Sequence, residues 1–296
     1  MPELEIPYVR HIRVIVCSDA ANEADDAFAV AHALLTPSFD VRGLVAGHFG
    51  APGSMLRSRA ELEVLADSMG VAGSVRIASG AESALGSPVS AQVSGVPDGV
   101  ALIVDEALRD DGRPLYLLCM GALTDVALAL RDCPEVAEHA CVVWVGGGRW
   151  PAGSHEANLA RDLVAAREVL ASDIALWQLP SGCYKRLAVP ISELRLRLAR
   201  CGRLGEHLWG QLVRFAEASL ETKRWVQPES WVLGDQAAVG ALLAEQHGCY
   251  ELRPTPGITD DYRYTEESGR RAIRVYHDLD VRLVLEDMFC KFELHA

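Results

Sequence analysis

Short apolar runs recur along the first 180 residues and alternate with longer segments of helical character. Runs of this kind are typical of strands covered on both faces, where nearly every position is buried. Six strands are predicted, at Val14–Cys17, Val41–Ala46, Val75–Ala78, Leu115–Met120, Val142–Val145 and Ala175–Leu179. The segments between them predict helices at Asp25–Leu35, Ser54–Met69, Asp98–Arg109, Ala122–Arg131 and Asp162–Leu170. The alternation indicates an α/β fold with a mostly parallel central sheet flanked by helices.

After Pro190 the strand-like runs stop and helical segments take over. Helical stretches are predicted from Ile191 to about Leu220, and a further helix from about Gly234 to Glu245. They follow the predicted sheet without a low-complexity linker or an internal repeat. We therefore expect a helical cap on the sheet and a single α/β domain over residues 1–296.

The tail of the chain contains two alternating segments on either side of Ser268-Gly269. They run from Thr259 to Tyr264 and from Ala272 to Tyr276, and alternation around a turn predicts a C-terminal hairpin. A final helix is predicted from about Asp280.

Composition and charge narrow the range of partners. The chain has 28 Lys and Arg residues against 41 Asp and Glu residues, a net charge of −13, which disfavours nucleic acid as a partner. The eight cysteines form no CxxC pair and are interpreted as reduced core residues. No signal-like segment opens the sequence, and no apolar run approaches the roughly 20 residues that span a bilayer. We expect no membrane partner and a cytoplasmic location.

The stretch from Asp19 to Asp26 places four carboxylates between the first predicted strand and the first predicted helix. Ligands gather at the carboxyl ends of strands in such sheets. Carboxylate oxygens suit Ca²⁺, which takes about six to eight oxygen ligands, whereas Mg²⁺ keeps more of its water. Helix capping explains one or two of these acids, but four in one loop repel each other unless a cation or bound hydroxyls compensate. The loop indicates a metal or polyol site.

The same loop resembles the Asp-rich motif DxDPGxDD of the nucleoside hydrolases, which are calcium-dependent N-ribohydrolases. The paired Asp25-Asp26 are present, but Asp19 lies six residues before Asp25 where the usual motif has four. The loop is therefore two residues longer, lacks the Pro-Gly pair, and contains Asn22 and Glu23 in the altered part. The chain is similar to a divergent branch of this superfamily.

Further segments resemble the same family in the same order along the chain. Met120–Ala127 resembles TGPLTNIA, Val142–Gly148 resembles VVxMGG, Glu156–Asp162 resembles EFNxxxD, and Trp231–Val239 resembles HDPxAV. Each segment follows a predicted strand or opens a predicted helix, which is where binding residues collect in α/β folds.

The resemblance implies a division of roles at the site. Ca²⁺ would be bound by Asp19, Asp26, the main-chain carbonyl of Met120 and Asp235. Two ribose hydroxyls and one water would complete its coordination shell. The substrate would be held by Asp25, Asn22, Glu156, Asn158 and His155. Asp19 would also act as the general base for the water that attacks C1′.

The leaving-group acid stays open at this point. The family's HDPxAV motif has a histidine, thought to protonate a purine base, directly before the Asp, and this chain has Gly234 there. His48 and His155 are replacement candidates, because histidine donates a proton near neutral pH. For each of them a structural role is at least as good an interpretation.

Together these features predict a calcium-dependent hydrolase that cleaves the N-glycosidic bond of a nucleoside, as a homodimer or homotetramer in base salvage. The alternative is a ribose- or nucleoside-binding protein, or a degenerate member without turnover, which Gly234 permits. A Mg²⁺-dependent phosphohydrolase is disfavoured, because Ser18-Asp19-Ala20-Ala21 lacks the second Asp of a DxD pair.

Overall fold

Eight strands form one central sheet in the computed structural model, which describes residues 4–87, 95–243, 245–246 and 248–296. In chain order the strands are β1 (Ile12–Ser18), β2 (Phe39–Ala46), β3 (Ile77–Ser79), β4 (Leu115–Cys119), β5 (Ala140–Val145), β6 (Ala175–Leu179), β7 (Ala188–Pro190), β8 (Ser230–Val232), β9 (Cys249–Pro254), β10 (Gly257–Ile258), β11 (Tyr264–Thr265) and β12 (Ala272–Asp278). Strands β7 and β8 form a separate antiparallel pair, as do β10 and β11. The six strands predicted from the apolar runs are all confirmed.

The order of strands across the sheet is β3-β2-β1-β4-β5-β6-β12-β9. All neighbours are parallel except β9, which runs antiparallel to β12. The chain moves from β1 outward to β3 and then returns to place β4 on the other side of β1. Such a reversal opens a crevice at the carboxyl ends of the two strands, which is where ligands bind in open α/β sheets.

Helices cover both faces of the sheet and form the cap. They are α1 (Asp26–Leu34), α2 (Ser54–Ser68), α3 (Asp98–Ala107), α4 (Thr124–Asp132), α5 (Val136–His139), α6 (Ala157–Arg161), α7 (Leu163–Ala171), α8 (Ser181–Tyr184), α9 (Ile191–Leu198), α10 (Gly202–Ser219), α11 (Gln236–Leu243) and α12 (Val281–His295). The helical stretches predicted from Ile191 to about Leu220 are α9 and α10, and Gly202 at the start of α10 takes a left-handed φ of 51°. Across the described ranges no helix combines the length and the apolarity needed to cross a membrane.

The sheet separates two apolar cores, and β1 contributes to both. Val14 and Val16 pack into the core beneath α1, α2 and α11, whereas Ile15 and Cys17 face the core beneath α3, α4 and α7. Alternation of this kind follows from the two-residue period of a strand. Packing on both faces holds the carboxyl end of β1 in a fixed position below the Asp-rich loop.

The C-terminal antiparallel pairing is confirmed, but the partner of Ala272–Asp278 differs from the predicted one. Strand β12 pairs with Cys249–Pro254, and the segment from residue 259 to 264 instead connects β10 to its short partner β11. Strand β12 joins the main sheet between β6 and β9, which buries Ile273 and Val275 in the core beneath α3, α4 and α7.

The eight cysteines are all free, as predicted. Their assignment to the core is confirmed in full for four, Cys17, Cys119, Cys183 and Cys201, and in part for Cys133 and Cys141. It is wrong for Cys249 and Cys290, which are exposed on the edge strand β9 and on α12.

Candidate active site

A cavity lies at the carboxyl ends of β1 and β4, where the strand order reverses. The structure brings eight of the ten candidate site residues into its wall: Asp19, Asn22, Asp25, Asp26, Met120, Glu156, Asn158 and Asp235. They come from the loop after β1, the end of β4, the start of α6 and the residue before α11. His48 and His155 are not part of this wall.

The centre of the cavity is a cluster of carboxylates. Oxygen atoms of Asp25, Asp26 and Asp235 all lie within 4.8 Å of one another. Asp26 opens α1 and Asp235 directly precedes α11, so the packing of these two helices sets the spacing of the cluster. The family resemblance assigns Asp25 to binding of the sugar. In the structure its carboxylate lies among the groups that can hold a metal.

Burial makes these charges costly. It raises the pKa of Asp19, Asp26 and Asp235 well above the ordinary value, and neighbouring carboxylates raise each pKa further. Burial also raises the pKa of Asp25 to about 7, with the charge of Asp26 adding to the effect. A divalent cation would relieve this repulsion through its positive charge, and its binding would displace the protons from the carboxylates.

Asp19 has a buried acceptor without a partner. Its side chain is 2% exposed, and its Oδ2 atom has no hydrogen-bond partner. A buried acceptor without a partner costs about 1–3 kcal/mol. The orphaned oxygen and the all-oxygen donor set of this cluster fit a hard cation and the water it would carry.

Glu156 is held by four hydrogen bonds. Its Oε2 accepts from the backbone N–H groups of Gly147 at 2.8 Å and Leu159 at 3.0 Å. Its Oε1 accepts from the backbone of Asn158 at 3.2 Å and from the hydroxyl of Tyr184 at 3.0 Å. The carboxylate therefore caps α6 and fixes the glycine turn after β5.

Asn158 joins the ends of two strands at the floor of the cavity. Its amide nitrogen donates to the carbonyl oxygens of Met120 at 3.2 Å and Val145 at 2.9 Å. The amide oxygen takes no part in these bonds. The Met120 carbonyl keeps a second lone pair, since a carbonyl oxygen accepts two hydrogen bonds or ligands.

His48 lies behind the carboxylates, in a small neighbouring cavity that it shares with Asp19. It is 1% exposed, and burial lowers its pKa. The backbone N–H of Gly50 donates to Nδ1 at 3.2 Å, which requires the neutral ring with its proton on Nε2. That proton points to Thr124 Oγ1 at 2.8 Å, and Thr124 donates in turn to Asp162. Both ring nitrogens are therefore occupied by protein groups.

His155 is exposed on the loop before α6. Its ring packs edge-on against Tyr262, with the ring centroids 4.9 Å apart. The structure does not bring it to the carboxylates, although the adjacent Glu156 is in the cavity wall.

Five residues of the cavity wall were missing from the candidates: Glu23, Val145, Ala157, Tyr184 and Gly234. Burial and the charge of Asp25 raise the pKa of Glu23 to about 7, so it belongs to the same electrostatic cluster. Tyr184 comes from α8, a four-residue helix with too few positions for a periodic pattern. Its position directly after the carboxyl end of the sixth strand was the available signal.

Comparisons with known proteins show the family and the fold of the chain. A family profile described as inosine-uridine preferring nucleoside hydrolase matches residues 14–286. No curated protein gives a significant sequence match. Among solved structures, the chain is similar to a purine-preferring ribonucleoside hydrolase from Gardnerella vaginalis, with 18% identity and a TM-score of 0.80 over 96% of this chain and 98% of that one.

Two other solved structures are similar over nearly their whole length. An inosine-guanosine nucleoside hydrolase has 18% identity and a TM-score of 0.76, over 96% of this chain and 99% of that one. An inosine-uridine preferring nucleoside hydrolase from Bacillus anthracis has 14% identity and a TM-score of 0.71, over 95% and 99%. Identities this low support the fold, and the family profile covers nearly all of the sequence. The chain therefore belongs to the inosine-uridine preferring nucleoside hydrolases, a family of N-glycosyl hydrolases.

Proposed function

We propose that this protein is a calcium-dependent nucleoside N-ribohydrolase, which uses water to split a ribonucleoside into a free base and ribose. The observation that carries the proposal is the buried cluster of Asp25, Asp26 and Asp235 beside the orphaned oxygen of Asp19. The cluster lies at the reversal of strand order in a chain of the nucleoside hydrolase family.

The residues that would hold the cation are Asp19, Asp26, Asp235 and the carbonyl of Met120. All of them offer oxygen, and several carboxylates in a buried site favour Ca²⁺ over the strongly hydrated Mg²⁺. When bound, the ion would lower the pKa of a water and fix two vicinal hydroxyls of the sugar. The proximity of Asp25 to the cluster makes it either a further ligand or a partner of those hydroxyls.

The reaction itself is a displacement at the anomeric carbon. Asp19 accepts a proton from the attacking water, since its Oδ2 has no other partner. The water oxygen bonds to C1′, the C1′–N bond breaks, and its electron pair leaves with the base. Positive charge develops on the sugar in the transition state, and the surrounding carboxylates stabilise it. Asn158 would hold a sugar hydroxyl through its amide oxygen, because its bonds to Met120 and Val145 use only the amide nitrogen.

A second candidate function rests on the composition of the cavity wall. Over the described residues, the wall contains no histidine to protonate a departing base. This favours the alternative of a protein that binds a nucleoside or ribose without turnover. Calorimetric binding without product release after long incubation would identify that case.

The deciding experiment is removal of metal followed by its return. Protein treated with a chelator is assayed against purine and pyrimidine ribosides, and then again after addition of Ca²⁺ or Mg²⁺. We expect activity to disappear and to return best with Ca²⁺. Full activity in the chelator, or activity restored only by Mg²⁺, would contradict the calcium proposal.

We also propose a homodimer or homotetramer in the cytoplasm, acting in purine or pyrimidine salvage. The support for this assembly is the family resemblance of the sequence. Light scattering coupled to gel filtration measures the mass directly, and a monomeric mass of 32.1 kDa at all concentrations would contradict it.

A further inference from the structure

Tyr184 lies in the cavity wall together with the acidic cluster. It ends α8, directly after the carboxyl end of β6, and is partly buried. Its hydroxyl donates to Glu156 Oε1 at 3.0 Å. The phenol and Glu156 therefore lie side by side in the cavity wall, joined by this hydrogen bond.

Glu156 has little capacity left for a substrate. A carboxylate offers about four acceptor positions, and Glu156 already accepts from three backbone N–H groups and from Tyr184. A sugar hydroxyl could bind it only by displacing one of these donors. The oxygen of Tyr184, which is bonded to Glu156 in the same wall, can meet a hydroxyl in its place.

Gly234 and Tyr184 fit each other. A Cβ atom at residue 234 would lie 2.8 Å from ring carbon Cδ2 of Tyr184 and 3.4 Å from Asp25 Oδ2. The ring thus occupies the space beside the backbone just before Asp235. Contact with Gly234 and the bond to Glu156 fix the phenol from two sides, so its oxygen keeps a defined position.

The phenol is neutral under ordinary conditions. Burial raises the pKa of Tyr184, and the charge of Glu156 raises it further. The phenol oxygen keeps its proton and donates it in the hydrogen bond to Glu156. The lone pairs of the same oxygen remain available as acceptors. This polarity suits a hydroxyl donor.

We propose that Tyr184 contacts the substrate and determines sugar specificity, its phenol oxygen accepting a hydrogen bond from a sugar hydroxyl while it donates to Glu156. This inference rests on the proposed function. Because the two vicinal hydroxyls of ribose are assigned to the acidic cluster, the hydroxyl left for Tyr184 is the one at C5′. Glu156 is then a positioning residue that acts through Tyr184.

The test compares Tyr184→Phe with the wild-type protein on inosine and 5′-deoxyinosine. The variant keeps the ring against Gly234 and removes only the oxygen. We expect KM for inosine to rise by about tenfold, the loss of one hydrogen bond, with kcat changed by less than about twofold. For 5′-deoxyinosine we expect the two proteins to be alike. Tyr250→Phe, at an exposed tyrosine of β9, is the matched control and should behave as wild type.

Equal losses on both substrates, or no loss on inosine, would overturn the assignment of Tyr184. Thermal unfolding of the variant separates a loss of contact from a loss of folded protein. Calorimetric binding of the same two nucleosides gives a second readout. If the wild-type protein binds but hydrolyses neither, the hydrolase proposal fails while binding still tests Tyr184. If it neither binds nor hydrolyses inosine, both proposals are overturned.

Discussion

Individual carboxylates determine the charge of the cavity and its capacity to bind a metal. Asp19, Asp26 and Asp235 are between 2% and 4% exposed. The positive charge of Arg161 lowers the pKa of Asp19, and the hydroxyl of Ser18 donates to Asp26 at 2.6 Å, but burial outweighs both. A single neutral substitution should therefore change metal binding far more than folding.

Replacing Asp26 with Asn should abolish most activity while leaving the fold intact. The variant keeps the shape of the side chain but removes one negative charge from the cluster. We expect calcium affinity and kcat/KM each to fall by at least about 100-fold, since even substitution of an indirect partner of a ligand costs about 10- to 100-fold. Calorimetry and steady-state kinetics measure the two effects. Asp132→Asn, at an exposed position of α4, is the matched control. Unchanged turnover in Asp26→Asn would remove this residue from the mechanism.

The stability of the metal-free protein should fall as pH rises. The pKa of Asp25 is raised from its ordinary 3.8 to about 7, so the folded state keeps a proton that the unfolded chain has already released. The contribution to the free energy of unfolding is complete below pH 3.8 and is lost as pH rises towards about 7. Glu23, with its pKa raised to about 7, acts in the same direction. Unfolding in a chelator between pH 5 and 8 measures the slope.

Asp25→Asn is the control for this pH dependence, because it removes the titrating group from the cluster. Its slope should be flatter than that of the wild type. The lowered pKa of buried His32 gives the opposite sign and is common to both proteins. A wild-type stability that rises across this range, with no change in the variant, would refute the expected linkage.

At the scale of elements, α1, α11 and α12 form the support beneath the cluster. His32 on α1 is fully buried, with Nδ1 2.7 Å from the side-chain oxygen of Gln236 and Nε2 2.8 Å from Asp287. Gln236 directly follows Asp235. The imidazole therefore links the helix that begins at Asp26 to the helix that follows Asp235.

Replacing His32 with Ala should reduce both stability and metal affinity. The change leaves Gln236 and Asp287 without this partner, and we expect a loss of about 2 kcal/mol in the free energy of unfolding. Urea denaturation measures the loss, and calorimetry measures the weaker calcium binding that follows from a looser cluster. His139→Ala, at an exposed histidine of α5, should change neither. Full calcium affinity in His32→Ala would show that the cluster does not depend on this link.

The elements of the core were predictable because each carries its own pattern. The strand β1 is apolar over consecutive positions, and the acids that follow it must lie at the carboxyl edge of a parallel sheet. His48 could not be placed in the same way, because its distance from the cavity depends on bonds to Thr124 and Gly50, which no local pattern records. Tyr184 was missed for the same reason, since its partner Glu156 lies on another segment.

The extended loop is another feature that only tertiary structure defines. Arg161 donates to the side-chain oxygen of Asn22 at 3.0 Å and to the carbonyl of Phe49 at 2.5 Å. These bonds tie the longer Asp-rich loop to the loop after β2. The sequence predicted the length of the loop, but not which residue would hold it.

At the scale of the whole molecule, the tail completes the main sheet. Strand β12 lies between β6 and β9, and α12 packs with α1 and α11 in the same apolar core. We propose that the chain unfolds as one unit, because the tail has no separate core of its own. Calorimetry should give a single transition whose calorimetric and van't Hoff enthalpies agree. Two separate transitions would contradict the single-domain prediction.

The reversal of strand order also means that the acidic cluster forms only when the chain folds. Asp25 and Asp26 come from near the start of the chain and Asp235 from far along it, so only the folded protein brings them together. An ion that binds this cluster then stabilises the native state by mass action, by about 2.7 kcal/mol at a concentration 100 times its Kd. The melting temperature therefore reports cation binding. Its rise with each cation ranks their affinities for this protein before any substrate is known.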